Sequence, residues 1–186
     1  MELWDLYTEN REKTGKTMVR GEKQPCKYYR LIVHICIFNS KEMMLIQQRQ
    51  PFKDSWSGMW DLTVGGSVIA GETTQMAAQR ELKEEIGIDR SFDGISPNIT
   101  LISERVIGDT FIVKSDVDMN SLSLQYEEVK AVKWATLDEI LKMIEDGEFI
   151  PYHKSFIELL FYLKDNRVIR TAKDKTIPRK TDSTAK

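Results

Sequence analysis

Apolar positions along the chain follow two periods, and these divide it into elements. Residues 31–38 (LIVHICIF) are a short, β-branched apolar run closed by Asn39-Ser40, the pattern of a buried strand. Residues 43–48 (MMLIQQ) follow a tight turn and read as its hairpin partner. Residues 50–60 (QPFKDSWSGMW) form a loop rich in aromatics and turn formers, and residues 62–64 lead into Gly65-Gly66. From 73 to 86 the period changes. Ala78, Leu82 and Ile86 recur every four residues, which predicts a helix with one buried stripe, capped by Thr73 or Thr74 and ended by Gly87. Residues 99–107, 111–117 and 129–135 (VKAVKWA) read as further strands. Thr136-Leu-Asp-Glu139 has the form of a capping box ahead of Ile140, Leu141 and Ile144, and residues 153–163 (HKSFIELLFYL) predict a last apolar helix. Strands and helices mix without strict βαβ alternation, which points to an α+β or layered α/β/α fold.

The ends differ from the middle. Residues 1–28 are polar, punctuated by Gly15 and Gly21, and predict an arm or small hairpin; residues 29–164 carry the domain; residues 165–186 form a basic tail. No internal repeat is present. With 186 residues, 41% of them hydrophobic, the chain suits one domain. A net charge of −2 offers no global field to draw in nucleic acid, although Arg167, Arg170, Lys173, Lys175, Arg179 and Lys180 concentrate positive charge in the tail, which reads as a solubilising end. Two cysteines, Cys26 and Cys36, make no disulfide framework; both read as small buried apolar residues of a protein in a reducing compartment. The start lacks the basic-then-apolar order of a secretory leader, and the longest apolar run is far short of the ~20 residues that span a bilayer. The expectation is a cytoplasmic protein that does not enter membranes.

Chemistry concentrates in residues 66–88 (GSVIAGETTQMAAQRELKEEIGI). Glu81, Glu84 and Glu85 stand at i, i+3 and i+4, within one narrow arc of the predicted helix. Like charges at that spacing repel by about 0.2–0.5 kcal/mol per pair, so the cluster is costly unless something uses it. Three carboxylates on one face are an oxygen-ligand set for a hard divalent cation, and Mg²⁺ also takes phosphate oxygens. Arg80, beside this face, is placed to pair with Glu84 one turn on or with Glu72 before the helix, fixing carboxylate orientation. Gly65, Gly66 and Gly71 allow a sharp turn and a close backbone approach to a ligand.

The same stretch resembles the Nudix box: Gly66, five residues, Glu72, seven residues, Arg80-Glu81-Leu82, one residue, Glu84-Glu85, one residue, Gly87-Ile88. Every defined position matches, against chance odds on the order of one in a hundred million at a given place. The resemblance extends in element order over residues 31–163. It implies an α/β/α sandwich with a mixed sheet and a hydrolase for diphosphate linkages. It further implies that Glu81, Glu84 and Glu85 bind Mg²⁺ or Mn²⁺, with the Gly66 carbonyl a further ligand, and that Glu72 pairs with Arg80. Water attacks one phosphorus and a carboxylate takes the proton. The base in this family is a box glutamate or one from a later loop. Glu128 and Glu127, in QYEEV, are candidates for the latter, and Glu104 and Asp109 weaker ones.

Upstream, LIQQRQPFKDSWSGMWDLTVGG resembles the Nudix branch that includes isopentenyl diphosphate isomerase. Arg49 and Lys53 fall where that branch carries basic residues for a diphosphate, and Trp56 and Trp60 are placed to line a substrate pocket. The isomerase, however, needs a cysteine just after the Trp-bearing loop, and Asp61-Leu-Thr-Val-Gly-Gly-Ser67 has none. Its histidine metal ligand would fall near Tyr29-Arg30; His34 is out of register and reads as a core histidine. An intact box also argues against a non-catalytic binding module. Hydrolysis of a small organic or nucleotide diphosphate is therefore expected over isomerisation, with removal of a 5′ pyrophosphate from RNA as a variant of the same chemistry. The signatures of the ADP-ribose, dinucleoside polyphosphate, coenzyme A and NADH types are missing, so the substrate stays open. A homodimer is common in the family.

Overall fold

A computed structural model describes residues 2–103 and 105–165. Glu104 and the basic tail residues from Arg167 on lie outside the described residues.

The run at 31–38 organises the fold. As strand β3 (Arg30–Phe38) it alternates faces: Leu31, Val33, Ile35 and Ile37 enter one core, Cys36 and Phe38 another. The first core takes Ala77, Ala78, Leu82 and Ile86 of α1 (Thr74–Ile86) together with Phe92 and Phe111. The second takes Ile140 and Met143 of α2 (Leu137–Glu145) and Ile157, Leu160 and Phe161 of α3 (Lys154–Leu163). One helix on one face of the sheet and two on the other make an α/β/α sandwich.

The sheet is mixed. β3 runs parallel to β8 (Val106–Lys114) over its whole length and antiparallel to β6 (Val64–Ser67) through Ile32–Ile35. β4 (Met44–Arg49) meets β3 at Phe38↔Met44, and its long partner is β9 (Val129–Ala135) rather than its hairpin neighbour. β5 (Trp60–Asp61) continues beyond β4, and β7 (Ile99–Ile102) forms the far edge on β8. Two strands expected at 99–107 and 111–117 are thus divided elsewhere. β7 ends at Ile102 and β8 begins at Val106, and Gly108-Asp109-Thr110, which fall between the two expected strands, lie inside β8 opposite Ile32, Val33 and His34. Asp109 tolerates that burial because Arg11 grips both carboxylate oxygens and Thr100 Oγ1 donates at 2.6 Å.

Arg11 comes from the N-terminal segment, a hairpin of β1 (Leu3–Tyr7) and β2 (Lys13–Val19). Leu6, Tyr7 and Met18 are buried, the backbones of Tyr7 and Tyr29 exchange both hydrogen bonds, and Ala70 N–H donates to the Leu3 carbonyl at 2.7 Å. The hairpin is therefore packed against the domain. Cys36 is buried as expected, but Cys26 is exposed, because the 20–28 connection runs over the surface.

α1 begins where Thr73 Oγ1 accepts the Met76 N–H at 3.2 Å. It ends at Gly87, whose φ of 80° only glycine adopts easily; an added Cβ there would also lie 2.9 Å from Ser123. That closeness has a purpose. Ser123 N–H and Gln125 N–H donate to the Ile86 and Glu85 carbonyls, fastening the loop before β9 onto the end of α1.

Candidate active site

A cleft of about 670 Å³ opens where β3, β6, α1, the 49–56 loop and the loop before β9 meet. Its acidic wall is α1. Glu85 is 5% exposed in this wall, and the amide nitrogen of Gln47 donates to its Oε2 at 2.9 Å. Burial, then the nearby Glu81 charge, push its carboxyl well above the ordinary carboxylate range, against the Gln47 bond. Burial likewise pushes the Glu81 carboxyl up to about 7, although Arg80 opposes it. Glu84 is the exposed member of the three.

Arg80 ties this wall to the loop before it. Its Nε and Nη2 grip Glu72 at 2.8 and 2.9 Å, Nη2 also reaches the Ser67 carbonyl at 3.0 Å, and Nη1 reaches Glu81 at 2.8 Å and Glu84 at 3.2 Å. Both pairings expected for Arg80 are present, with Glu81 as a third. The Glu72 bond, foremost, holds the guanidinium charge firmly.

Among the described residues no three histidine, cysteine, aspartate or glutamate side chains converge as a metal-holding group. The reason is visible: Arg80 draws Glu81 and Glu84 to itself, while Glu85 points at Gln47. The donor chemistry nonetheless fits a hard cation. Two desolvated carboxylates lie side by side, Gln47 Oε1 is buried without a hydrogen-bond partner, and a Cβ on Gly66 would overlap the Glu81 carboxylate. Only glycine leaves that space between the β6 backbone and the acid.

The basic side carries the residues expected from the loop. Lys53 pairs with Glu128 at 2.6 Å, so two residues singled out separately are partners. Arg49 lines the cleft and donates from Nε to the Ser55 carbonyl at 3.3 Å. Trp56 lines the mouth with its backbone in the left-handed region, φ 52°. Trp60 does not line the cleft. It packs on the second core with Lys133 Nζ 4.6 Å from its ring centroid, because alternation in β5 turns it away while Asp61 faces in. Glu127 is exposed outside the cleft, and Asp109 is engaged by Arg11 and Thr100, so neither is placed to act as base.

Several lining residues escaped the sequence reading. His34, expected in the core, lies on the cleft floor with Asp61 and Tyr152; Tyr152 donates to Asp61 at 2.9 Å, and its hydroxyl lies 3.5 Å from His34 Nε2. Burial holds the imidazole below its usual range. Glu2, Arg20 and Arg30 form a third wall, and Gln47 supports Glu85 from behind. Paired polar residues in a buried strand, Gln47-Gln48, were the one local signal of this; the rest are long-range juxtapositions.

The NUDIX domain family model matches residues 28–160, well over half the chain. The chain belongs to the Nudix family. Among its relatives, an uncharacterized Nudix hydrolase of Listeria monocytogenes is 43% identical over 91% of this chain and 99% of its own length. Nudix hydrolase 3 of Arabidopsis thaliana is 32% identical over 81% of this chain and 22% of its own length. DR0079 of Deinococcus radiodurans has the same fold, with a TM-score of 0.68 at 24% identity over 86% of this chain and 97% of that one. So does a bifunctional NMN adenylyltransferase/ADP ribose pyrophosphatase from Francisella tularensis, complexed with AMP and a Mn ion, at a TM-score of 0.57 and 22% identity over 75% of this chain and 43% of that one. This Nudix chain is thus a member of a hydrolase family. Among its described residues no helix is long and apolar enough to cross a membrane.

Proposed function

We propose that this Nudix protein is a divalent-metal-dependent pyrophosphohydrolase acting on a small organic or nucleotide diphosphate. The observation that carries the reading is the paired desolvation of Glu81 and Glu85 beside the glycine-lined space at Gly66. Arg80 reaches Glu81 but Glu85 has only the Gln47 amide, so these buried neighbouring carboxylates are short of positive charge, and a cation supplies it. Glu81, Glu84 and Glu85, with the Gly66 carbonyl, would hold Mg²⁺ or Mn²⁺; the Mn ion in the Francisella fold relative agrees with that choice. When bound, the metal neutralises phosphate charge and acidifies water.

The remaining work falls to the chain's own groups. Arg80 holds Glu81 and Glu84 at the cleft wall and is itself anchored by Glu72 and the Ser67 carbonyl. Arg49 and Lys53 take oxygens of the substrate diphosphate. Lys53 neutralises Glu128 in the free cleft, so its move to a phosphate leaves Glu128 free to accept a proton from the attacking water. The P–O bond to the bridging oxygen breaks and the leaving phosphate departs as its anion. Trp56 at the mouth contacts the organic part of the substrate. The missing cysteine after Trp60 disfavours the isomerase alternative.

The test is a panel of nucleoside diphosphates and triphosphates, nucleotide sugars, dinucleotides and isoprenoid diphosphates with Mg²⁺ and product analysis. Glu128→Gln should lower kcat on the order of 10²–10⁴-fold with KM little changed. Full kcat in that variant assigns the base elsewhere, and no cleavage of any panel member contradicts the reading.

A further inference from the structure

Four arginines line the cleft, and two of them lack a carboxylate partner among the described residues: Arg30 and Arg49. Arg49 already has a role above. Arg30 lies outside the box and the 49–60 loop. It opens β3, with its guanidinium carbon 4.7 Å from the Trp4 ring centroid and Nη1 donating to Ser67 Oγ at 3.0 Å. Glu2, on the same wall, is committed elsewhere: it accepts from Arg20 at 2.9 Å and from Trp4 Nε1 at 2.7 Å. Arg30, which lines the cleft, therefore has no ion-pair partner of its own among the described residues; burial, then the like charge of Arg20, works against its positive charge, and the Glu2 charge supports it without a direct contact.

The placement beside Ser67 matters. The Ser67 carbonyl is gripped by Arg80, and Gly66, the preceding residue, abuts Glu81. Arg30 thus stands next to the acidic wall, joined to it through Ser67. A planar guanidinium stacked on an indole is held in one plane, and its free edge matches two oxygens of a phosphate.

We propose that Arg30, oriented by Trp4 of the N-terminal hairpin and by Ser67, is a phosphate-binding residue of the cleft, so that the hairpin is part of the substrate site. On this wall Arg20 and Arg30 share one carboxylate, Glu2, and a phosphate of the diphosphate supplies the second negative charge. Trp4 is a positioning residue: it holds the guanidinium plane and touches no substrate.

This rests on the hydrolase reading only for the choice of ligand, so the test measures binding, with no turnover. Imidodiphosphate, a diphosphate without a hydrolysable bridge, is titrated calorimetrically into the full chain with Mg²⁺. Arg30→Met should weaken binding by roughly ten- to a hundred-fold, the scale of a hydrogen bond to a charged group. Arg30→Lys should recover part of that loss, and Trp4→Leu should lose about three- to ten-fold. Arg90→Met, which removes an exposed charge outside the cleft, should bind like wild type. Melting temperatures are recorded for each variant. Wild-type affinity in Arg30→Met overturns the proposal, as does a lowered melting temperature with unchanged affinity, because Arg30 would then serve only the fold. No binding to the wild-type chain also overturns it. Arg30-dependent binding by a protein that cleaves no panel substrate would retain this site and remove the hydrolase reading.

Discussion

Gly66→Ala is the sharpest perturbation of the acidic wall. Gly66 sits in β6 opposite Val33 and its φ is not in the left-handed region, so alanine fits the backbone. Its Cβ does not fit the neighbour: it overlaps the Glu81 carboxylate and lies 2.7 Å from Glu81 Cγ. Ordinary carbon contact begins near ~3.5 Å, so Cγ alone must retreat by about 0.8 Å. The carboxylate must move further and leave its 2.8 Å bond to Arg80. A displacement of about 1 Å in a catalytic group costs on the order of 10²-fold in rate. Stability should respond modestly. The obstructing atoms are a side-chain tip, so overpacking costs about 1 kcal/mol, and replacing glycine returns about 0.4–1 kcal/mol through the unfolded chain. Those two nearly cancel, and the lost Arg80–Glu81 bond leaves a net cost of about 1.5–3 kcal/mol, on the order of 3–12 °C in Tm for a chain of this size. The assay is kcat/KM with Mg²⁺ beside a thermal melt. Activity within threefold of wild type would refute the placement of Glu81 in the reacting site. A collapse of Tm would show that the contact is rigid.

Two further expectations concern charge. Arg80→Met leaves Glu72 and Glu81, both largely buried, without their cation, and should cost about 3–5 kcal/mol by urea unfolding at pH 7; a loss under 1 kcal/mol contradicts the pairing. Against the desolvation of burial, Arg11 and Thr100 hold the Asp109 carboxyl below its ordinary value. A lowered folded value stabilises above the unfolded pKa of about 4 and is lost as pH falls through the folded one. Urea midpoints of wild type should therefore fall more steeply below pH 4 than those of Asp109→Asn, and parallel curves would count against the Arg11 clasp.

The box helix was legible because everything that defines it is local: a four-residue apolar period, Thr73 at one end, Gly87 at the other, and three acids on one arc. The sandwich followed from alternation in β3, whose two faces feed two cores. Misplaced features depend on distant partners. Gly108-Asp109-Thr110 separates two expected strands in the sequence, yet Arg11, 98 positions away from Asp109, supplies the charge that lets the aspartate enter a strand. Trp60 reads as a pocket residue from its place after the loop, yet strand alternation sends Asp61 inward in its place. His34 lies on the cleft floor because Gly65, opposite it, leaves room there. Arg30 and Trp4 are joined only once the hairpin folds back, and no spacing announces that.

The central claim is that water cleaves a diphosphate at the wall formed by Glu81, Glu84 and Glu85. The direct measurement is single-turnover hydrolysis of the best panel substrate in ¹⁸O-labelled water, with and without EDTA, for wild type, Glu84→Gln and Glu85→Gln. The expected result is one ¹⁸O in a single phosphate product, abolition by EDTA, and rates lowered on the order of 10²-fold or more in both variants. Unlabelled products, or wild-type rates in both glutamine variants, would contradict it.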